Sequence, residues 1–311
     1  MRGQVYKSTG SWYQIKAENG QFYSCRIKGK FRMDGIKSTN PVAVGDWVHF
    51  DLEAQTDDVS GVIHEIEKRK NVIIRKSVNL SKQQHIIAAN IDTVFLLITL
   101  NNPATSTVFI DRFLVSTEAF DVNAVLVFNK IDTYDKQQLM ELKELIVVYE
   151  KIGYTCLKLS AKELSSCQEL IALMKNKTTT FAGHSGVGKS TLVNTIEPGL
   201  RLKTSEISTQ HLQGQHTTTF AQMHDLSFGG SIVDTPGIRG FGLVDIEKEE
   251  ISSFFPEFFE LKSDCKFNNC LHVDEPKCAV LEAYASGDIA PSRYKSYLQM
   301  LDDDETLNYR Q

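Results

Sequence analysis

Residues Gly183-His184-Ser185-Gly186-Val187-Gly188-Lys189-Ser190 read G-x-x-x-x-G-K-S. Glycines at this spacing let backbone N–H groups wrap around phosphate oxygens, with a helix N-terminus facing the anion. The run before it, Thr178 to Ala182, reads as a strand, and the run from Thr191 reads as a helix start. That is the strand–loop–helix setting the pattern requires. Gly183, His184, Ser185, Gly186, Val187, Gly188, Lys189, Ser190 and Thr191 are therefore the phosphate-binding candidates. Lys189 is expected to reach the β- and γ-phosphates, and the Ser190 hydroxyl to ligate Mg²⁺.

A second group reads the base. Asn129-Lys130-Ile131-Asp132 ends an apolar run and spells N-K-x-D. The Asp132 carboxylate can accept two hydrogen bonds from guanine, one from its ring N–H and one from its exocyclic amine. Adenine has no such ring N–H, so the motif points to guanine. Asn129 can reach the purine edge, and the Lys130 stem can lie along the base plane. Ser160-Ala161-Lys162 ends another short strand and would place a backbone N–H near the guanine carbonyl. Alone, Asn129–Asp132 reads as a strand-ending turn and Ser160–Lys162 is uninformative; beside a phosphate loop they become a guanine site.

A third group should respond to the γ-phosphate. Gly214-Gln215-His216-Thr217-Thr218-Thr219 lies in a long polar stretch. A switch of this kind needs a threonine for Mg²⁺; Thr218 is the choice, with Thr217 and Thr219 open. Asp234-Thr235-Pro236-Gly237 spells D-x-x-G. Asp234 would hold a Mg²⁺-bound water, and the Gly237 N–H would touch the γ-phosphate. The next residue is Ile238, where Ras-like enzymes place the glutamine that orients water. His216 lies beside the switch threonines and could position or deprotonate water, the alternative being a structural loop histidine. The catalytic set is His216, Lys189 and Thr218; the magnesium set is Ser190, Thr218 and Asp234.

Cys265, Cys270, His272 and Cys278 form a fourth group, C-x-x-x-x-C-x-H-x-x-x-x-x-C. Three thiolates and an imidazole so close together suit one structural Zn²⁺ with four protein ligands; packed reduced cysteines are the alternative. Cys25, Cys156 and Cys167 are scattered and expected as core residues.

These groups need elements to hold them. Residues 91–100, 123–128, 155–159, 178–182 and 231–233 read as strands, several of them continuous apolar runs of the kind a parallel sheet buries on both faces. Helical spacing covers 108–120, 136–152 and 165–174. The alternation predicts a doubly wound α/β sheet with its ligand at the carboxyl ends of the strands. The base motifs precede the phosphate loop, the reverse of the Ras-like order, so the domain is read as circularly permuted. Residues 1–75 offer five short strands, 3–7, 12–17, 22–27, 46–51 and 61–67, fitting an OB-type barrel. Trp12, Tyr13, Phe22, Tyr23 and Phe31 either stack on nucleic-acid bases or fill the barrel; Lys28, Lys30, Arg32 and Lys68 to Lys70 are a nucleic-acid face or a solvated one. Residues 75–89 read as a connector. Residues 248–259, 277–286 and 293–301 read as helices, with Phe254, Phe255, Phe258 and Phe259 expected in a core. The expected domains are 1–75, 76–243 and 244–311.

Composition sets limits. The chain has 311 residues and a net charge of −5. Lys and Arg exceed Asp and Glu only in residues 1–75, 12 against 9, while residues 240–311 carry 7 against 15. Nucleic-acid contact is thus expected first of the N-terminal part. No apolar run approaches the ~20 residues of a membrane span, and no signal region opens the chain, so a cytoplasmic protein is expected, with no membrane partner.

The barrel, the order Asn129–Asp132, Gly183–Ser190, Asp234–Gly237, the Gly214–Thr219 run and the Cys/His knot together resemble the small-ribosomal-subunit-dependent GTPase A family (RsgA, also called YjeQ), over essentially the full chain. The resemblance implies a monomeric GTPase that binds the small ribosomal subunit and its rRNA late in assembly. It implies slow hydrolysis stimulated by the subunit, and a role in releasing another assembly factor. It also implies rRNA contacts by the barrel and zinc domains, and His216 as the proposed catalytic group. The readings kept beside it are a GTP-gated RNA-binding module and a GTPase acting on another RNA partner.

Overall fold

The computed structural model describes residues 1–27, 41–55, 58–76, 84–200, 221–234 and 246–302. The first five strands are β1 (Arg2–Ser8), β2 (Tyr13–Ala17), β3 (Phe22–Ile27), β4 (Trp47–Gln55) and β5 (Asp58–Ile66). Their side chains alternate, so Val5, Tyr13, Ile15, Cys25, Val48, Phe50 and Ile63 share one interior. The strands close in the order β1-β2-β3-β5-β4-β1, parallel only between β3 and β5. This closed five-stranded barrel is OB-like. Tyr13 is core, whereas Trp12 and Phe22 are each 48% exposed. Lys28, Lys30, Phe31 and Arg32 lie outside the described residues.

The expected connector over 75–89 is instead part of an antiparallel hairpin, β6 (Val72–Lys76) with β7 (Gln84–Ala89). Its strands are short and separated by a polar stretch, which hid their alternation in the sequence. Ile73 and Ala88 pack into the core of the following domain, and the Ala89 N–H donates to Val44 O at 2.8 Å. The hairpin therefore joins barrel to sheet. On the barrel side, the Arg69 guanidinium donates twice to the buried Asp46 carboxylate, both at 2.7 Å.

The central sheet contains β8 (Thr93–Ile98), β9 (Asn123–Phe128), β10 (Thr155–Lys158), β11 (Thr178–Ala182), β12 (Gln222–Asp225) and β13 (Ser231–Asp234). Its order is β10-β9-β8-β11-β13-β12; β12 runs antiparallel and the others are parallel. Helices α1 (Thr107–Ala119), α2 (Lys136–Lys151), α3 (Gln168–Met174) and α4 (Lys189–Ile196) follow β8, β9, β10 and β11. Apolar clusters cover both faces, which is why β8 is buried at every residue. The Thr179 and Thr180 hydroxyls, both buried in β11, donate to Ser231 O and Val233 O at 3.0 and 2.9 Å. β12, which the sequence did not reveal, also pairs with β1 at Lys7 and Gln222, so barrel and sheet share one hydrogen-bonded ladder.

The C-terminal part contains α5 (Lys248–Ile251), α6 (Pro256–Leu261), α7 (Ala279–Ser286) and α8 (Pro291–Asp302). The single helix expected over 248–259 is broken. Pro256 has no N–H to donate and forces an extended Phe255, so a new helix starts there. Phe255 and Phe258 are fully buried with Val115 of α1, while Phe259 is 59% exposed. No described helix is long and apolar enough to cross a membrane.

Candidate functional site

β8, β9, β10, β11 and β13 all run the same way, so their carboxyl ends meet at one edge of the sheet. β11 is buried from Thr179 to Ala182 and delivers the chain to Gly183. Gly183 has φ 132° and Gly188 φ 101°, a region that side chains rarely enter. A Cβ at Gly183 would sit 2.6 Å from Leu97 O, and one at Gly188 2.5 Å from Asn129 Nδ2. Gly188 caps α4, whose first residues are Lys189, Ser190 and Thr191. The Lys189 ammonium spans the loop, donating to Gly183 O at 2.6 Å and His184 O at 2.7 Å. Val187 anchors the loop in the core with no exposed surface.

Asn129 ties the base-reading segments to this loop. Its side-chain amide donates to Val187 O at 2.7 Å, and its Oδ1 accepts from the Ala161 N–H at 2.8 Å. It is 1% exposed, so those bonds fix three segments in a dry setting. Lys130, at φ 65°, donates to Asn102 O at 2.5 Å and Gly186 O at 2.8 Å. Burial and the nearby Lys162 hold its pKa below the usual lysine value, against the pull of Asp132. Asp132 and Lys162 form a loose ion pair at 3.8 Å. Ser160 and Ala161 are buried, and the Ser160 hydroxyl has no hydrogen-bond partner among the described residues. The Ser160 N–H is held by Ser166 Oγ at 3.1 Å.

Asp234 ends β13, the neighbour of β11, at the same edge as Gly183. Burial raises its carboxyl pKa, against the opposing effect of His224. His216, Thr217, Thr218, Thr219, Gly237 and Ile238 lie outside the described residues. The structure thus brings Asn129, Lys130, Ser160, Ala161 and residues 183–191 together, with Asp132 and Lys162 paired beside them.

Two residues at the site escaped the sequence reading. The Tyr134 hydroxyl donates to Asn129 O at 2.7 Å and accepts from the Leu100 N–H at 2.9 Å, pinning the base loop to the end of β8. Phe109, in the first turn of α1, stacks on His184 with ring centroids 3.8 Å apart. Neither belongs to a spaced motif; only proximity in the fold reveals them.

The Cys265, Cys270 and Cys278 sulfurs and a His272 ring nitrogen all lie within 4.8 Å of one another. His272 Nδ1 is 3.7 Å from Cys265 Sγ and 3.2 Å from Cys278 Sγ, and those two sulfurs are 3.9 Å apart. Tyr294 OH donates to His272 O at 2.8 Å and Tyr297 OH to Leu271 O at 2.6 Å. The Glu275 carboxylate accepts from the Leu271 and Val273 N–H groups at 2.6 and 2.8 Å. The loop is thus fixed from outside, and the four donor atoms face inward as a group that could bind a metal ion. Cys25 and Cys167 are core residues, and Cys156 is half-buried.

These features define a circularly permuted P-loop GTPase flanked by an OB-like barrel and a Cys/His-bearing helical unit. Comparison with known proteins agrees: the family model RsgA GTPase matches residues 66–244 and RsgA N-terminal domain matches residues 2–63. The chain is 64% identical to the small ribosomal subunit biogenesis GTPase RsgA of Christiangramia forsetii over 310 residues, covering 100% of this chain and 98% of that one. It is 63% identical to the protein of that name from Flavobacterium psychrophilum, covering 98% and 94%. Among solved structures it resembles YjeQ of Thermotoga maritima, with TM-score 0.78, 39% identity and 96% of each chain covered. It also resembles YloQ, a circularly permuted GTPase, with TM-score 0.75, 32% identity and coverage of 96% and 93%. The chain belongs to the RsgA GTPase family, and its reaction is GTP hydrolysis.

Proposed function

We propose that the chain binds the small ribosomal subunit and assists its late maturation, hydrolysing GTP slowly until the subunit stimulates it. Similarity along the whole length to proteins named for small-subunit biogenesis supports the partner. The observation that carries the nucleotide reading is the Asn129 side chain, bonded at once to the phosphate loop and to the 160–162 turn.

Guanine would be read by the Asp132 carboxylate, the Asn129 edge and the Ala161 backbone, with the Lys130 stem beside the base. Residues 183–191 would hold the phosphates. Lys189 would exchange its two loop carbonyls for β- and γ-phosphate oxygens, a stronger charge-assisted pairing. Mg²⁺, held by Ser190, Thr218 and, through water, Asp234, would neutralise charge between the β- and γ-phosphates. Developing charge on the transferred phosphoryl would be stabilised by Lys189 and the loop amides, with Gly237 reporting the γ-phosphate and His216 orienting water. Expected divisions are 1–75, 76–243 and 244–311, in a cytoplasmic monomer whose barrel and C-terminal unit meet rRNA.

The metal of the C-terminal unit is read as structural Zn²⁺. Ligand bonds of 2.3 Å to sulfur and 2.0–2.1 Å to nitrogen imply tetrahedron edges of about 3.8 and about 3.6 Å. The Cys265–Cys278 and Cys265–His272 separations of 3.9 and 3.7 Å lie close to these, while His272–Cys278 at 3.2 Å is shorter, and all four donor atoms lie within 4.8 Å of one another. Zinc would close the loop as a staple, leaving no position for chemistry.

Exchange of Asp132 for Asn tests the base reading. The amide presents a donor where guanine needs an acceptor, so GTP affinity should fall about a hundredfold or more. Xanthosine triphosphate, with a carbonyl in place of the exocyclic amine, should bind better than GTP. Unchanged GTP preference in Asp132→Asn would remove Asp132 from the site.

A further inference from the structure

Helix α1 touches the phosphate loop at one end and the C-terminal unit along its side. In its first turn Phe109 stacks on His184, the second residue of the loop, at 3.8 Å and 34° between ring planes. The Ser106 hydroxyl caps this turn by accepting from the Phe109 N–H at 3.2 Å. Ile110, Phe113 and Leu114 bury against the sheet. At 100° per residue, Asp111 and Val115 then face away from both the sheet and Phe109.

That third face is taken by the C-terminal unit. Asp111 is fully buried and accepts from Arg293 Nη1 of α8 at 2.7 Å and from the Tyr149 hydroxyl of α2 at 2.8 Å. Arg293, 1% exposed, also donates through Nε and Nη2 to the Glu257 carboxylate of α6 at 2.7 and 3.0 Å. Its guanidinium lies 4.4 Å over the Phe255 ring. Val115 packs with Ile251, Phe255, Phe258 and Tyr297. A buried cation held by two carboxylates fixes one geometry, because any shift strands a charge.

We propose that Phe109 and the Asp111–Arg293–Glu257 group are positioning residues that make α1 a coupler between the phosphate loop and the Cys/His unit. Moving the loop to wrap phosphate moves the His184 ring. The stack passes that movement to the first turn of α1, and the buried ion group passes it to α6 and α8. Linkage makes it reciprocal: whatever tilts the C-terminal unit alters nucleotide affinity by the factor with which nucleotide alters the unit. The proposal rests on nucleotide binding at residues 183–191. If wild-type protein bound no guanine nucleotide, that prior reading would fail and be seen to fail.

The test is a double-mutant cycle with Phe109→Leu and Glu257→Gln, read by GDP affinity and by hydrogen exchange of the α8 amides. Glu257→Gln keeps size, Phe109→Leu keeps an apolar side chain without the ring, and both leave Arg293 its Asp111 partner; far-ultraviolet circular dichroism and thermal melting confirm that each variant folds. In wild type, GDP should slow exchange in α8, and Glu257→Gln should change GDP affinity about fivefold, the low end of usual couplings. Phe109→Leu should remove the GDP effect on α8, and adding Glu257→Gln to it should change affinity no further. A folded Phe109→Leu protein that retains the GDP effect on α8, or additive effects in the cycle, would overturn the proposal. So would a wild-type α8 indifferent to GDP.

Discussion

At the scale of the residue, Asn129 and Asp132 sit in one motif and do different work. Asn129→Ala would leave Val187 O and the Ala161 N–H unsatisfied in a buried place. Each such group costs about 1–3 kcal/mol, so the expected result is a melting temperature lowered by several degrees together with weakened GTP binding. Asp132→Asn should leave the melting temperature nearly unchanged and alter only base preference. Thermal melts of the two variants beside a GTP titration separate the roles; equal melting losses would show that Asp132 too is structural. The motif residues were legible because phosphate and guanine dictate residue type and spacing. Phe109 and Tyr134 were not, since a ring beside a loop or a hydroxyl bridging two strand ends leaves no mark in a linear pattern. Arg293 reads in the sequence as an ordinary charged helix residue, and only the fold makes it a buried cation between Asp111 and Glu257.

At the scale of the element, the joint between barrel and GTPase sheet shows what pairing adds to a hydrogen-bonded ladder. β1 meets β12, and beside them Asp225 accepts from Tyr6 OH at 2.6 Å and from Lys16 Nζ at 2.5 Å. Burial pushes the Asp225 carboxyl up, but Lys16 and Tyr6 outweigh it and hold the pKa below its ordinary 3.8. A depressed carboxylate stabilises the folded state above the unfolded-state value and loses that contribution as pH falls through the folded one. Acid below about pH 4 should therefore lower the protection of the β1 and β12 amides, measured against the intrinsic exchange rate at the same pH, and Asp225→Asn should show that loss of protection already at neutral pH. If Asp225→Asn matched wild type at neutral pH, the joint would not depend on this carboxylate. The strands and helices of the central sheet were readable from their apolar runs and 3.6-residue spacing. The β6–β7 hairpin was not, because its strands are short and interrupted. The helix expected over 248–259 failed at Pro256, a signal present in the sequence but outweighed there by apolar spacing.

At the scale of the molecule, pairing and packing tie the barrel, the central sheet and the C-terminal helices to one another. The hairpin and β12 join barrel to sheet, and α1 joins sheet to the C-terminal helices. The permuted order places β13, which ends at Asp234, last among the described strands, and α5 begins at Lys248. Loss of the zinc proposed for Cys265, Cys270, His272 and Cys278 should be local. Structural zinc sites hold about 10–16 kcal/mol of apparent binding energy. Chelation, or Cys270→Ser, should therefore unfold the C-terminal unit and expose Phe255 and Phe258, while the sheet keeps its secondary structure. Dye binding with circular dichroism would follow this; global unfolding on chelation would contradict a local staple.

The proposed role is GTP hydrolysis in the service of small-subunit maturation. It is tested most directly by measuring GTP turnover alone, with purified small ribosomal subunits, and with large subunits as control. Turnover should be slow alone, strongly stimulated by small subunits only, and no longer stimulated in His216→Ala with nucleotide affinity kept. Equal turnover with and without small subunits, in a protein that binds GTP normally, would contradict it.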